Sequence, residues 1–179
     1  MSKFCVEGSV TNPKCVTLEN FDFTSEEQIF DIILDILKSE LPPRMALVMD
    51  CQNQPMFIAE ENIDLIPAGQ DARFEVLLNP VSEIPEYTES RESRIVEYTL
   101  ELILTVHNEL AKCITWEMIR FKNAVEGLII AAELAIDGYE SVYIEPKGFS
   151  HFVPESDGVV YRKQGSYRFT VTVTQYKNN

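Results

Sequence analysis

The sequence predicts an α+β fold: one domain over residues 1–179, with an antiparallel or mixed β-sheet and two α-helices packed mainly on one face. Two long segments, 94–107 and 167–174, alternate between apolar and polar residues. Such alternation is typical of strands with one buried face, because successive side chains of a strand point to opposite sides. A long stretch with helical periodicity lies between them. Since most predicted strands are neighbours along the chain, a local arrangement is favoured over alternating βαβ units.

The N-terminal part contains the first predicted helix. Ser25 and Gln28 form a capping box, and an apolar stripe continues from there to Leu41. Pro42 and Pro43 are expected to end this helix, because proline lacks a backbone N–H and restricts the residue before it. The preceding residues, 1–23, are expected to be a loosely attached segment. Two short extended pieces are predicted within it: Phe4–Val10 and Cys15–Leu18.

Three strands are expected to follow the helix. Met45–Met49 is predicted as a short buried strand, and Pro55–Ala59 as its partner across a turn. Ala72–Leu78 is predicted as a third strand with alternating faces.

A long acidic loop is predicted next, at Asn79–Ser93. This segment contains two prolines and little apolar material to bury, and long segments of this kind are commonly functional or disordered. Two interpretations remain open: a mobile surface loop, or an arm that becomes ordered against another subunit. The charged residues of such an arm are Glu83, Glu86, Glu89, Arg91, Glu92 and Arg94.

The C-terminal half begins with the strand Arg94–His107. A helix is predicted over Thr115–Asp137, with an alternative start near Asn108, and Gly138 is expected to end it. A short strand, Val142–Ile144, follows. Asp157-Gly158 predicts a hairpin between Phe149–Val153 and Val159–Arg162, and Gln164-Gly165 predicts a second turn or a bulge before the last strand.

The charge of the chain excludes one large class of function. The net charge is −14, and most of the excess lies in residues 1–101, where 20 acidic residues oppose 7 basic ones. Nucleic-acid binding depends on clustered Lys and Arg, so specific binding of DNA is not expected. No apolar run approaches the roughly 18 residues that cross a bilayer, and the N-terminus lacks the pattern of a signal peptide. A cytoplasmic site of synthesis is therefore expected.

No residues with the spacing of a catalytic, cofactor or metal site are found. The chain contains no G-x-G-x-x-G, P-loop or nucleophile elbow, and His107 and His151 are interpreted as ordinary strand-end and loop residues. The four cysteines form no short-spaced pair, so they are expected to be free thiols in a reducing compartment. Three residues near the start of the second helix are expected to belong to the core rather than to a ligand pocket: Trp116, Met118 and Phe121.

Charged residues on the long strands are the candidates for contacts between subunits. Glu97 and Glu101 share one strand face and are interpreted as a solvated surface or a subunit contact. A basic group near the last strands could pair with the acidic half of a neighbouring copy: Arg162, Lys163 and Arg168. Two such different surfaces can meet head-to-tail, and head-to-tail contacts close into rings when the rotation allows.

The order of these elements resembles the tail terminator, or tail completion, proteins of long-tailed bacteriophages. The resemblance covers roughly residues 24–176 and is one of element order and sequence texture rather than of invariant residues. The corresponding pieces are Ser25–Leu41, Met45–Leu78, Asn79–Ser93, Arg94–His107, Thr115–Asp137 and Val159–Tyr176.

The resemblance implies a structural phage or prophage protein and not an enzyme. It implies a ring, commonly of six copies, that ends polymerisation of the tail tube and offers a docking face to a head completion or connector protein. DNA would pass through such a ring without specific binding, no membrane would be involved, and assembly would take place in the host cytoplasm before the virion is complete. Two alternatives stay open: another phage-type adaptor, such as a head–tail connector or tube subunit, and an α+β domain that binds a small ligand.

Overall fold

The computed structural model describes residues 3–5, 15–17, 25–66, 72–87, 93–131 and 139–176. Two α-helices and a six-stranded sheet dominate the described part of the chain, which confirms the predicted α+β class. A short 3₁₀ helix, Glu60–Asn62, precedes the third strand. The elements are β1 Lys3–Cys5, β2 Cys15–Thr17, α1 Ser25–Met45, β3 Ile63–Asp64, β4 Phe74–Tyr87, β5 Ser93–Asn108, α2 Ala111–Ala131, β6 Tyr139–His151, β7 Glu155–Ser156 and β8 Tyr161–Tyr176.

The main sheet is mixed and has β5 near its centre. Its strand order is β3-β4-β5-β8-β6, and the short β7 pairs with β8. Only β3 and β4 run parallel; the other pairs are antiparallel. Strands β1 and β2 form a separate antiparallel pair. Neighbouring strands are mostly close in sequence, as the local order of the strand patterns predicted.

The core fills the space between one face of this sheet and the two helices. Along β5 every second side chain from Val96 to Val106 is at most 2% exposed, while the side chains between them are mostly half-buried. From α2, Phe121 packs edge-to-face on Phe74 of β4, with 5.4 Å between ring centroids. The prediction that β5 is extended and covered on a single side is therefore confirmed. The large side chains that complete this core include Ile29, Ile33, Leu37, Leu41, Tyr167 and Phe169.

Helix α1 continues through the two prolines that were expected to end it. It ends at Met45, with Pro42 and Pro43 inside its last turn. Leu41 and Met45 are both fully buried, so the last turn keeps the same apolar stripe on the core. Packing of this stripe outweighs the two missing backbone donors.

The predicted strand pair 45–49 and 55–59 is wrong. Only one isolated bridge links Met49 and Pro55, with a further hydrogen bond of 2.7 Å from Met56 N–H to the carbonyl of Val48. Met45 belongs to the helix, which leaves too few residues for a strand before the turn at Asp50.

The predicted loop at 79–93 is also wrong where the structure describes it. Strand β4 extends through Tyr87 and pairs with β5 as a long hairpin, with one register shift between Pro80 and Ser82. Beyond Leu78 this strand pairs with β5 but with no other strand of the described residues, so it is an edge strand there. Its backbone N–H groups need partners on one side only. Proline is tolerated on such edge strands, which is why Pro80 and Pro85 do not exclude a strand. Residues 88–92 lie outside the described residues.

The C-terminal elements agree with prediction in kind but differ in extent. Helix α2 begins at Ala111, close to the alternative start near Asn108; its predicted end, with Gly138, lies outside the described residues. Strand β6 is much longer than Val142–Ile144. The turn at Asp157-Gly158 is confirmed, since β7 pairs with the start of β8 across it. The predicted partner strand, Phe149–Val153, is wrong, because Phe149 to His151 pair with Tyr167 to Gly165 instead.

Gln164-Gly165 lies within β8, and the pairing of β8 with β5 runs through it without interruption, so the predicted turn or bulge is wrong. The glycine is there because the ring of Phe149 lies over it: an added Cβ would be 2.1 Å from Cζ of that ring. Glycine in a strand often marks such a close approach.

We expect Gly165→Ala to lower the free energy of unfolding by about 1–3 kcal/mol, the usual range for overpacking. The double variant Gly165→Ala/Phe149→Leu should recover part of this loss, because the smaller side chain vacates the space. Urea unfolding of the wild type, both single variants and the double variant measures the coupling.

Gly127→Ala is the control, because its added Cβ would meet only Arg44 Nη1, at an ordinary 3.5 Å; an alanine there should be neutral or stabilising. Equal destabilisation at both glycines would contradict the proposed role of Phe149.

Candidate functional site

The outer face of the sheet, opposite the helices, carries most of the predicted contact residues. Glu97, Glu101 and Arg168 all lie there, because residues of odd number in β5 and of even number in β8 face away from the core. Arg168 Nε donates to Glu101 Oε1 at 2.9 Å, and the hydroxyl of Ser166 donates to the same oxygen. Burial alone would raise the pKa of Glu101, but these two donors outweigh it and lower the pKa. This carboxylate is already paired within the chain.

Lys163 does not belong to the contact surface predicted for it. It faces the helix side of β8, is 6% exposed, and its Nζ donates to the carbonyl of Phe152 at 3.0 Å. Arg162, its neighbour, is exposed on the opposite side. The sequence cluster of three basic residues is split because side chains of a strand alternate.

The predicted arm residues are also divided by the structure. Glu83 and Glu86 are exposed on β4, whereas Arg94 is only 4% exposed on β5, so its expected position on a free arm is wrong. Glu89, Arg91 and Glu92 lie outside the described residues.

Three exposed apolar side chains lie at the hairpin end of the outer face, two of them separated by Glu97 and Thr172. The register places Ile84 beside Glu97, Thr172 and Tyr143 across four strands, and Ile95 lies in the next row. Ile84 is 57% exposed, Tyr143 64% and Ile95 40%. We call Ile84, Ile95 and Tyr143 the distal outer patch. No pattern in the sequence indicates this group, because strand pairing rather than sequence proximity brings these residues together.

A second candidate site is a cluster of polar groups near the start of α2, in which two buried carboxylates meet a partly exposed guanidinium. Arg73 Nη2 donates to Asp50 Oδ2 at 2.8 Å and to Glu117 Oε1 at 2.9 Å, and the amide of Asn108 donates to both oxygens of Glu117 at 2.8 and 2.9 Å. The side chains of Asp50 and Glu117 are at most 1% exposed. The cluster holds the loop after α1 against β5 and α2.

The charges of this cluster stabilise one another. Burial alone would raise the pKa of Asp50, but the backbone N–H groups of Gln54 and Gln52 and the guanidinium of Arg73 outweigh it, and the net effect lowers this pKa. Burial alone would lower the pKa of Arg73. The nearby carboxylates of Asp50 and Glu117 have the larger effect, and the pKa of Arg73 is raised. Asp50 and Arg73 are therefore both charged at neutral pH and form a structural ion pair.

Cys51 and Cys113 form a disulfide beside this cluster, so the expectation that all cysteines are free thiols is wrong for these two. Their Cα atoms are 5.5 Å apart, and 62 residues separate them in sequence. Cys51 is exposed in the turn after Asp50, whereas Cys113 is buried in the first turn of α2. The spacing of the cysteines does not predict this pairing, because tertiary packing of the turn after Asp50 against α2 brings the two residues together.

A cleft of about 420 Å³ opens next to the cluster. His107 belongs to its wall, and its Nδ1–H donates to the carbonyl of Ala72 at 2.6 Å, since that oxygen can only accept. The cleft is lined by Gln52, Arg73, His107, Asn108, Glu109, Leu110 and Val160. Five of these seven residues have polar side chains, although polar and apolar atoms contribute almost equally to the surface of the cleft.

The other residues considered from sequence have simpler surroundings. His151 is exposed, its ring lies against Phe149 at 4.7 Å between centroids, and partial burial together with the nearby charges of Lys163 and Lys122 lowers its pKa. Met118 and Phe121 belong to the core, as predicted, but Trp116 is 60% exposed and does not. Neither helix, over the residues described, is long and apolar enough to span a membrane.

No family model matches the chain, and a search of curated proteins returns no match either.

We expect Asp50→Asn to lower the free energy of unfolding at neutral pH and to have a vanishing effect in acid. The folded-state pKa of Asp50 is lowered, so its contribution is present above the unfolded-state pKa of about 4 and is lost as pH falls through the lower folded-state value. Urea unfolding from pH 7 down to pH 2.5 measures this difference. Asp31→Asn, at an exposed position on α1, is the control and should change little at any pH. An Asp50→Asn effect that persists below pH 3 would contradict this role of the charge.

Proposed function

We propose that this protein is a structural component of a phage or prophage tail, which forms a ring at the end of the tail tube, stops tube polymerisation and joins the tail to the head. The observation that carries the proposal is the long β4–β5 hairpin with the distal outer patch at its end. Scattered exposed apolar residues are normal, but Ile84, Ile95 and Tyr143 lie in adjacent rows of one sheet face. Such a patch is typical of a surface that another protein covers.

The expected occupant of the distal outer patch is a second copy of this chain. Over the described residues the two edges of the sheet differ: β3 and the far part of β4, with its two prolines, form one edge, and β6 forms the other. A contact between different surfaces of two copies is heterologous, and repeating it produces a ring if the rotation closes. The sequence resemblance implies about six copies.

The charge of the chain supports a passage for DNA rather than a DNA-binding site. With a net charge of −14, like charge disfavours adhesion of the phosphate backbone. The proposed partners are further copies of the chain, the tail tube protein and a head completion or connector protein. The proposed locations are the host cytoplasm during assembly and then the virion.

Another phage-type adaptor, such as a connector or a tube subunit, would use the same patch. A tube subunit would polymerise into long tubes alone, whereas a terminator would form single rings and cap existing tubes.

A second candidate function is binding of a small polar ligand in the cleft beside His107. Its supporting observation is the cleft of about 420 Å³ with guanidinium, imidazole and amide groups in its wall. A thermal-shift screen of small polar metabolites tests it. A stabilising compound whose effect is lost in Gln52→Ala and His107→Ala, but kept in Ile84→Glu, would favour this function.

We expect Ile84→Glu/Ile95→Glu to abolish ring formation without unfolding the protein, because two charges would replace the apolar contact. Sedimentation velocity measures self-association, and electron microscopy of the protein mixed with tail tubes shows capping. Leu47→Glu/Val153→Glu, at positions 82% and 84% exposed, is the matched control and should leave rings intact. A wild-type protein that stays monomeric and leaves tube ends bare would overturn the proposal.

A further inference from the structure

We propose that the Cys51–Cys113 pair, once reduced, forms with Glu117 a binding site for a thiophilic divalent cation such as Zn²⁺. The two sulfurs and a carboxylate oxygen of Glu117 all lie within 4.8 Å of one another. We propose that the same three side chains have two states: a disulfide beside a metal-free carboxylate, and a reduced state in which all three bind the cation. This inference is independent of the proposed tail function.

The donor atoms fit the geometry of zinc. Thiolate sulfur binds Zn²⁺ at about 2.3 Å and carboxylate oxygen at about 2.0–2.2 Å, in tetrahedral geometry, which places the donors about 3.5–4 Å apart. Glu117 is therefore within a small side-chain movement of this spacing, and the two sulfurs must separate from their bonded distance. Cys113 is anchored in α2, whereas Cys51 lies in an exposed turn that includes Asn53 at a φ of 63°. The turn is the part that moves, and the fourth coordination position is left to water.

Glu117 is held ready by groups that stay in place. Its Oε1 accepts from Arg73 and Asn108, and its Oε2 accepts from Asn108. A carboxylate has about four lone-pair positions, so one remains for a cation. Donors that orient a ligating carboxylate also tune metal affinity, and Arg73 and Asn108 are positioning residues of this kind.

Charge and redox balance allow the change of state. A phosphine and one water reduce the disulfide to two thiols, and the phosphine becomes its oxide. The cation then displaces both thiol protons, so two positive charges leave as two arrive. The net charge of the buried cluster is unchanged. In a reducing compartment disulfides are uncommon, and cysteine clusters more often bind metal.

The test uses the full chain with Cys5→Ser/Cys15→Ser, because the register pairs these two cysteines and they could compete. The protein is reduced with a phosphine under anaerobic conditions and titrated with Co²⁺ alone. We expect one equivalent to bind, with thiolate-to-cobalt charge-transfer absorption that Zn²⁺ abolishes. The same protein left oxidised should show no such absorption.

Four variants locate the site, and a fifth is the control. Cys51→Ser and Cys113→Ser should each remove the charge-transfer absorption, and Asn108→Ala should weaken Zn²⁺ binding about 10- to 100-fold. Glu117→Gln should weaken it further, whereas Glu75→Gln, also a buried carboxylate but on the outer face, should bind as the parent does. Circular dichroism of each variant verifies that it is folded, and the two serine variants keep the test decisive if Glu117→Gln unfolds. Absence of cobalt absorption in the reduced parent, or its persistence in Cys51→Ser, would overturn the proposal.

Discussion

The one-sided burial of the central β5–β8 pair is the constraint on which the rest of the structure depends. Alternate side chains of both strands are covered by α2, and α1 packs in turn against α2. A sheet with one apolar face must be covered on that face, and its other face is then available for polar pairs or for another molecule. On that outer face, Glu101 and Arg168 form a polar pair, and the distal outer patch is the surface proposed to contact another molecule.

The same constraint explains why the hairpin β4–β5 extends so far. Strand β5 is long and continuously paired with β8, so it offers a full-length edge on which β4 can add residues. The prolines of β4 are compatible with this position because no named strand lies beyond them. The result is an exposed ribbon with charged and apolar side chains, which is the basis for the proposed assembly role.

At the other end of the sheet, two buried carboxylates, the guanidinium of Arg73 and one disulfide join the loop after α1 to α2. Arg73 lies between Asp50 and Glu117, and the cross-link closes a 62-residue separation nearby. A disulfide over such a separation lowers the entropy of the unfolded chain considerably. If reduction exchanges this cross-link for a metal ion, the contact between loop and helix is kept in both states, by different chemistry.

The sequence alone determined the α+β class, the extended conformation of 94–107, the amphipathic helix after it and the turn at Asp157-Gly158. All four depend on short-range rules: alternation of side chains, helical periodicity and turn preference. Tertiary structure decided the features that depend on distant neighbours. The packing of Leu41 and Met45 carried α1 through its prolines, and the edge position made 79–87 a strand. The ring of Phe149 leaves space only for glycine at position 165. Folding places Cys51 next to Cys113, and it places Lys163 and Arg162 on opposite faces of the sheet. These outcomes follow from which groups meet in space, and no local pattern contains that information.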